Sequence, residues 1–140
     1  MRAGRFEGDP IQDDFVRDFY REVASRGAES GFSETWQLTS DGDPAAIVFG
    51  ITQGGRFLYL LIGADYEKHG RHSPGLQAYD AIIEDWMGRG GNCFDFTIGD
   101  EPFKAQFGAE ATPMCAIVNA VTSLGRVARG PMLSRIGATS

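Results

Sequence analysis

The N-terminal segment carries an apolar residue at every fourth position from Ile11 to Val23, with mostly polar residues between them. This spacing places the apolar side chains on one face of a helix. Asp9 can cap such a helix, and Pro10 suits its first turn. The pattern therefore predicts a helix from Asp9 to Arg26.

Three segments with strand-like patterns follow this helix. Phe32 to Thr39 alternates between apolar and polar residues, and Ala45 to Thr52 and Arg56 to Gly63 are apolar runs rich in β-forming residues. Gly54 and Gly55 separate the last two runs, at a position where a tight hairpin turn needs positive φ angles. The pattern predicts an antiparallel meander of three strands.

The second half of the chain alternates helix-like and strand-like segments. Gly75 to Gly88 has one broad apolar face and predicts an amphipathic helix, after an irregular loop from Asp65 to Pro74. Cys93 to Ile98 predicts a strand, Pro102 to Phe107 a helical turn, and Thr112 to Val121 a last strand. A strand–helix–strand unit after a meander indicates an α/β (α+β) fold with a mixed sheet and a right-handed crossover.

Length and charge narrow the class of protein. The chain has 140 residues, which suits one domain, and a formal net charge of −6. Its 13 basic residues are scattered, which argues against nucleic acid, because binding phosphates needs clustered Lys and Arg. No apolar run approaches the roughly 20 residues that span a membrane, and no signal-like stretch follows the N-terminus. We expect a cytoplasmic protein that binds neither nucleic acid nor membrane.

Two short segments contain polar and charged residues that a purely structural role would not require. The predicted strand from Cys93 ends in a charged turn, Gly99-Asp100-Glu101-Pro102, followed at once by Phe103 and Lys104. Strand ends are where open sheets build binding sites. The second segment is the loop from His69 to Pro74, which precedes the helix at Gly75.

The meander, the Ser73-Pro74-Gly75 element and the strand with its charged turn resemble the acyltransferase domain of the GNAT superfamily. The similarity is greatest to the CelD-like branch, associated with cellulose or exopolysaccharide biosynthesis and related to the Fem-type peptidyltransferases, and it covers roughly residues 45–121. It implies a GNAT-like mixed central sheet with helices on both faces. It also implies transfer of an acyl group from acetyl-CoA, or another acyl-CoA, to an amine or hydroxyl of a small molecule or saccharide.

This chain departs from the family pattern in two places. Phe103 stands where the family usually has Tyr, so a phenol that could donate a proton is missing. Only Gly75 aligns with the glycine-rich pyrophosphate loop of the superfamily, and Gln77 stands where a second small residue is expected. Because family members are commonly about twice as long, the chain is expected to correspond to their C-terminal half, and a homodimer or a separate partner domain would suit it.

The resemblance implies that the donor pyrophosphate lies at the N-terminus of the helix that begins at Gly75. The unpaired N–H groups of a first helical turn attract anions, and Arg71 would add a charge-assisted hydrogen bond. The simpler alternative is that Ser73 only caps the helix while Pro74 fills its first turn. The predicted donor-binding residues are Arg71, His72, Ser73, Gly75 and Leu76.

Asp100 and Lys104 are the predicted catalytic residues. The ammonium of Lys104 could stabilise the oxyanion of a tetrahedral intermediate or neutralise a donor phosphate. The alternative is a surface salt bridge between Lys104 and Asp100 or Glu101. Acylation of an amine also needs a base, for which Asp100 is the first choice. The other candidates are Glu101, Asp65, Asp95, His69 and His72.

The remaining residues point to packing more than to chemistry. Two histidines and two remote cysteines match no zinc spacing, so no metal site is predicted. Six aromatic residues are assigned to the core: Phe15, Phe19, Tyr79, Trp86, Phe94 and Phe96. Three others could line a substrate groove: Trp36, Tyr59 and Tyr66.

The predicted function is N-acyl transfer, with rate gained mostly by holding donor and acceptor together between strands that separate at their C-terminal ends. The alternative is a non-catalytic half-domain that binds a partner or dimerises. Retention of Lys104 favours the enzyme, and loss of the phenol at position 103 favours the binding module.

Overall fold

The computed structural model describes residues 13–114. Four strands form one mixed sheet in the order β1-β2-β3-β4, with β1 at Ser33–Ser40, β2 at Asp43–Gln53, β3 at Arg56–Ala64 and β4 at Cys93–Asp95. The first three strands pair antiparallel, and β4 pairs parallel to β3. The predicted α/β (α+β) fold, a meander followed by a crossover to a parallel strand, is therefore confirmed.

Helix α1 spans Asp14–Ser30. It begins where the Asp13 carboxylate accepts hydrogen bonds from the backbone N–H groups of Phe15 and Val16, at 2.8 and 3.4 Å. Such a cap satisfies N–H groups that have no partner inside the helix. The predicted cap and first-turn proline, at positions 9 and 10, lie outside the described residues.

Three turns rely on positive φ angles. Gly31 ends α1 at φ 71°, later than predicted. Asp41 and Gly42 connect β1 to β2 at φ 52° and 86°, and Gly54 and Gly55 connect β2 to β3 at φ 58° and 77°. The last pair confirms the predicted hairpin, because two positive φ angles match the twist of the strands that they join.

The segment predicted as an irregular loop is partly helical. Helix α2 spans Tyr66–His69 and is followed by a 3-10 turn at Gly70–His72. Asp65 starts α2 by accepting a hydrogen bond from the N–H of Lys68 at 3.1 Å. Helix α3 then spans Pro74–Gly88, which confirms the predicted amphipathic helix.

The strand after α3 is shorter than predicted. It ends at Asp95 instead of Ile98, because the backbone turns to φ 57° at Thr97, a left-handed conformation that no strand contains. Helix α4 spans Phe103–Gln106 and confirms the predicted helical turn. Of the predicted last strand, residues 112–114 form no strand and the remainder lies outside the described residues.

Two compact units divide the chain, residues 1–109 and residues 110–140. The described helices and strands all belong to the first unit, and the described residues of the second, 110–114, form neither. The prediction of a single domain stays a prediction. Between residues 13 and 114, no helix is both long enough and apolar enough to cross a membrane.

The main core lies between α3 and one face of the sheet. Ala78, Tyr79 and Ile82 of α3 are at most 4% exposed. They pack against apolar residues of β2 and β3, of which Val48 and Phe57 are fully buried. Four of the aromatics assigned to the core from the sequence belong to this cluster: Tyr79, Trp86, Phe94 and Phe96.

Helix α1 lies on the opposite face of the sheet. The buried hydroxyl of Ser33 donates to the carbonyl oxygens of Val23 and Ala24, at 3.0 and 3.3 Å. Tyr20 packs edge-on against Phe49 with ring centroids 6.1 Å apart. Helices therefore cover both faces, as expected.

Two aromatic residues of α1 are not in the core. Phe15 is 82% exposed and Phe19 is 56% exposed, so their assignment to the core was wrong. Their four-residue spacing does place them on one helix face, but the face that meets the sheet is the neighbouring one, with Tyr20 and the buried Gly27.

Gly50 and Gly63, in two adjacent strands, allow a matched test of this packing. A Cβ at Gly50 would lie 2.4 Å from the Phe57 ring and 2.8 Å from the Leu58 carbonyl oxygen, whereas a Cβ at Gly63 would meet nothing within 4 Å. We predict that Gly50→Ala lowers the free energy of unfolding by about 1–3 kcal/mol because the core is overpacked. Gly63→Ala should leave it unchanged or raise it by up to about 1 kcal/mol. Urea denaturation of both variants measures the difference, and equal effects would contradict this packing.

Candidate functional site

The pairing between β3 and β4 is short. Three residue pairs form, of which the last is Leu58 with Asp95, while β3 continues to Ala64. In the part of the chain that the structure describes, no strand pairs with the second half of β3 on this side. The parallel pairing of β3 with β4 therefore ends at Leu58 and Asp95, well before β3 itself ends. We call the region beyond Leu58 and Asp95, where β3 and β4 are no longer paired, the β3–β4 split. Two strands that separate in this way are what the sequence analysis expected.

A local turn ends β4. The Asp95 carboxylate accepts a hydrogen bond from the N–H of Thr97 at 2.8 Å, and Thr97 has the positive φ already noted. The Thr97 hydroxyl donates to the carbonyl oxygen of Tyr59 at 3.0 Å. A side-chain hydroxyl thus takes the place of the next ladder hydrogen bond, and strand pairing stops at this point.

Lys104 is buried just beyond this turn, with 8% of its surface exposed. Its Nζ donates to the carbonyl oxygens of Ile98 and Gly99, both at 3.0 Å, and lies 2.8 Å from Glu101 Oε2. Three acceptors match the three N–H groups of an ammonium. Lys104 therefore fixes the backbone that follows β4, and the expected salt bridge to Glu101 is present.

The two carboxylates of the charged turn have different surroundings. The hydrogen bond from Lys104 lowers the pKa of Glu101 below its ordinary value, against a smaller opposing effect of burial. Asp100 is exposed and has no hydrogen-bond or ion-pair partner among residues 13–114. Asp100 is thus the carboxylate that is free to meet a substrate.

An aromatic cluster connects α3 and α4 to the split. Tyr79 stacks on Phe103 with centroids 5.5 Å apart and planes 2° apart, and it meets Tyr59 edge-on at 5.1 Å. Burial, together with a hydrogen bond to Tyr59, raises the pKa of the Tyr79 phenol far above its ordinary value, so the phenol stays neutral. A phenol is therefore present beside Phe103 although position 103 itself has none.

The loop before α3 has no side-chain cap. Ser73 has φ 48°, and its side chain makes no capping hydrogen bond. Instead its carbonyl oxygen accepts from the N–H groups of Leu76 and Gln77, at 3.0 and 3.2 Å. The alternative in which Ser73 serves as a side-chain cap is wrong, whereas Pro74 does occupy the first turn as expected.

Arg71 and His72 lie together at the surface of this loop. Arg71 Nε donates to His72 Nε2 at 2.8 Å. The side-chain amide of Gln77 donates to the His72 carbonyl oxygen and ties the loop to α3. Two of the predicted donor-binding residues are thus exposed and held close to the helix N-terminus.

Gly75 and Leu76, the other predicted donor-binding residues in α3, are less accessible. A Cβ at Gly75 would lie 2.9 Å from the Tyr66 hydroxyl oxygen and 3.2 Å from Ile62 Cδ1. Leu76 is half-buried and packs against the main core. Close packing by Tyr66 and Ile62 is therefore enough to explain the glycine, and phosphate binding at Gly75 stays a prediction.

A cavity of about 240 Å³ lies beside the N-terminus of α3. His69, which is 7% exposed, lines the cavity, and its Nε2 is buried without a hydrogen-bond partner among the described residues. Buried nitrogen atoms are rarely left unpaired, so a water or a ligand group in the cavity would satisfy it. No three His, Cys, Asp or Glu side chains between residues 13 and 114 converge on a metal position. The other lining residues are Leu38, Thr39, Ser40, Ala45, His72, Pro74 and Gln77.

The structure places the predicted site residues in two groups. Asp100 and Lys104 lie at the β3–β4 split, and the donor-binding residues lie at the N-terminus of α3. Tyr79 lies between the groups, because it stacks on Phe103 and its phenol interacts electrostatically with Tyr66 and with the charged turn.

Two functional features were missed at the sequence level. The first is the turn at Thr97, just after β4. Its only sequence signal was an aspartate two residues earlier, because an Asp carboxylate often accepts a hydrogen bond from the backbone N–H two residues later. Tyr79 was assigned to the core because it lies on the apolar face of α3, and nothing in the sequence shows that its ring meets Phe103.

Comparison with known families supports the resemblance. A family model described as an acetyltransferase (GNAT) domain matches residues 1–105, which include both groups of site residues. The match begins nearer the N-terminus than the predicted similarity. No curated protein matches the chain. The family match covers more than half of the chain, so the chain belongs to the GNAT acetyltransferase-domain family.

The ion pair between Lys104 and Glu101 predicts a pH effect on stability. Because the pKa of Glu101 is lowered in the folded state, the ionised side chain adds to the free energy of unfolding above pH 4.5, the ordinary Glu pKa. This stabilisation is lost as the pH falls below that value. Glu101→Gln should therefore cost stability at pH 7 and cost little at pH 3. The urea midpoint at both pH values measures this, with Glu84→Gln as control at an exposed carboxylate that has no ion pair among the described residues. Equal losses at both pH values would contradict the pairing.

Proposed function

We propose that the protein is an acyl-CoA-dependent N-acyltransferase of the CelD-like branch, related to the Fem-type peptidyltransferases. Membership of the GNAT acetyltransferase-domain family supports acyltransferase activity in general. The observation that carries the finer proposal is the early end of β3–β4 pairing, because two strands that separate leave a place between them where a thioester donor can lie. The protein acts in the cytoplasm and transfers an acetyl or another acyl group.

The donor binds with its extended part along the second half of β3 and its phosphates toward the N-terminus of α3. Arg71 and His72 are exposed there, and Arg71 has an unused guanidinium edge, because its one hydrogen bond in the described structure comes from Nε. A guanidinium binds phosphate oxygens through charge-assisted hydrogen bonds. The His69 cavity adjoins the same helix end and offers space for part of the donor or for ordered water.

Transfer proceeds by attack of an amine on the thioester carbonyl. Asp100 takes a proton from the amine, since its carboxylate is exposed and unpaired. Lys104 stabilises negative charge on the carbonyl oxygen or on a donor phosphate. Direct contact requires Lys104 to give up one present partner, and Glu101 is the most easily replaced because its side chain is 55% exposed. The C–S bond of the tetrahedral intermediate then breaks, which leaves the acylated amine, and the departing CoA thiolate takes up the proton held by Asp100 or one from solvent.

The acceptor is an amine or hydroxyl of a small molecule or saccharide. Most of the rate would come from holding donor and acceptor in one geometry, so modest side-chain chemistry is enough. If the domain binds no donor, the alternative of a binding or dimerisation half-domain takes its place.

Isothermal titration with acetyl-CoA tests donor binding. We expect saturable heat at donor concentrations up to about 1 mM, and an affinity about tenfold lower in Arg71→Ala, since one charge-assisted hydrogen bond is lost. Arg17→Ala removes an arginine of similar exposure from α1 and should bind as the wild type does. Absence of heat up to the highest concentration would refute the donor proposal.

Thiol release from acetyl-CoA, measured with a panel of amines and amino sugars, tests the catalytic roles. We expect Asp100→Asn to lower kcat by about 10²-fold or more with unchanged donor affinity, because a base is lost. Lys104→Met should lower kcat by about 10²-fold. Asp80→Asn, at an exposed carboxylate on α3, is the control. Full kcat in Asp100→Asn would mean that another group is the base.

A further inference from the structure

The flank of α1 beside the face that meets the sheet, together with Phe32 just after the helix, carries exposed aromatic rings. Phe15 is 82% exposed, Phe19 56% and Phe32 42%. A groove of about 380 Å³ runs beside them, along α1 from Phe19 to Ser30 and up to Phe32. Contiguous apolar surface of this kind on a soluble domain marks an interaction site more often than a solvated face.

We propose that this surface binds a second copy of the chain, with the two α1 helices packed antiparallel about a two-fold axis. We call it the outer α1 surface and define it by five residues: Phe15, Phe19, Glu22, Arg26 and Phe32. The proposal is independent of the acyltransferase proposal, because none of these residues belongs to the site described above.

The first argument is the spacing of residues along the helix. Positions 15, 19, 22, 26 and 30 recur at intervals of four and three, which places them on one stripe of α1. This is the spacing of a seam between two helices. The stripe adjoins the inner face of α1, where Tyr20 and Gly27 meet the sheet, and Gly27 also lines the groove.

The second argument is that one molecule carries both halves of the contact. Phe15 protrudes at one end of the stripe, and the groove opens toward the other end, near Ser30 and Phe32. A two-fold axis that crosses α1 near Ala24 lays Phe15 of each copy over the Phe32 end of the groove of the other. A two-fold contact needs this kind of self-complementary surface.

The third argument is charge. Arg26 Nη2 lies 2.6 Å from Glu22 Oε1, and both side chains remain mostly exposed, at 81% and 60%. In the antiparallel arrangement, Glu22 of each copy lies near Arg26 of the other. The stripe carries one acid and one base, so it has no net charge, whereas the whole chain carries −6. A second copy neutralises both groups, which a strongly acidic or basic partner would not do.

Sedimentation velocity from about 1 to about 300 µM tests the proposal on the full chain. We expect a monomer–dimer equilibrium that Phe15→Ser and Phe19→Ser each weaken about tenfold or more, because buried aromatic area is lost. Met87→Ser, at a half-exposed apolar residue of α3, is the matched control and should have no effect. Circular dichroism of each variant checks that the fold is retained.

Charge reversal fixes the arrangement of the two helices. Glu22→Arg gives a stripe with two positive charges and Arg26→Glu gives one with two negative charges, so each variant alone should be monomeric over most of the range. An equimolar mixture of the two should regain the dimer, because the unlike stripes attract. Arg21→Glu, on another side of α1, should leave the wild-type equilibrium unchanged.

Several outcomes would overturn the proposal. A wild-type chain that stays monomeric at the highest concentration has no such interface. A dimer that is insensitive to Phe15→Ser and Phe19→Ser forms through another surface. A mixture of the charge-reversed variants that stays monomeric would show that the two helices do not pair antiparallel. Retention of another protein with no self-association would assign the outer α1 surface to a different partner.

Discussion

The hydrogen bond from the Thr97 hydroxyl to the Tyr59 carbonyl oxygen is the contact on which the site depends. It replaces a backbone ladder bond at the point where Thr97 has left strand geometry, and beyond it β3 continues without β4, paired with β2 on its other side. A threonine at positive φ is costly, by roughly 1–2 kcal/mol, and such strain is found most often where it shapes a functional site. The separation of β4 from the second half of β3 thus starts at one strained residue and its side-chain bond.

Two further contacts keep the strand end in place. Lys104 binds the carbonyl oxygens of Ile98 and Gly99, and the stacking of Phe103 on Tyr79 fixes α4 against α3. Lys104 is therefore at once the predicted catalytic cation and a structural clamp. A substitution there removes both roles, so stability must be measured beside activity. The GNAT family assignment connects this geometry with acyl transfer. Strands that separate next to a helix N-terminus would suit an extended acyl-CoA donor whose phosphates lie at the helix end.

The sequence predicted the meander, the Gly54-Gly55 hairpin, α3 and the parallel strand, because periodicity and paired glycines are local signals. It placed Lys104 beside the charged turn and offered a salt bridge to Asp100 or Glu101 as the alternative to catalysis, of which the pair with Glu101 forms. It did not predict the early end of β4, which depends on a contact between residues far apart in the chain. The same limit applies to Phe15 and Phe19: spacing shows that they share a helix face, but only the packing of α1 shows which face meets the sheet.

The most direct measurement of the central claim is a two-dimensional amide NMR titration with acetyl-CoA. If the donor lies along the part of β3 that β4 does not reach, the largest shifts fall on the amides from Leu60 to Gly63 and in the first turn of α3, while the hairpin turn at Gly54 and Gly55 stays unchanged. Shifts confined to the β1–β2 or β2–β3 turns, or to the groove of α1, would contradict the account.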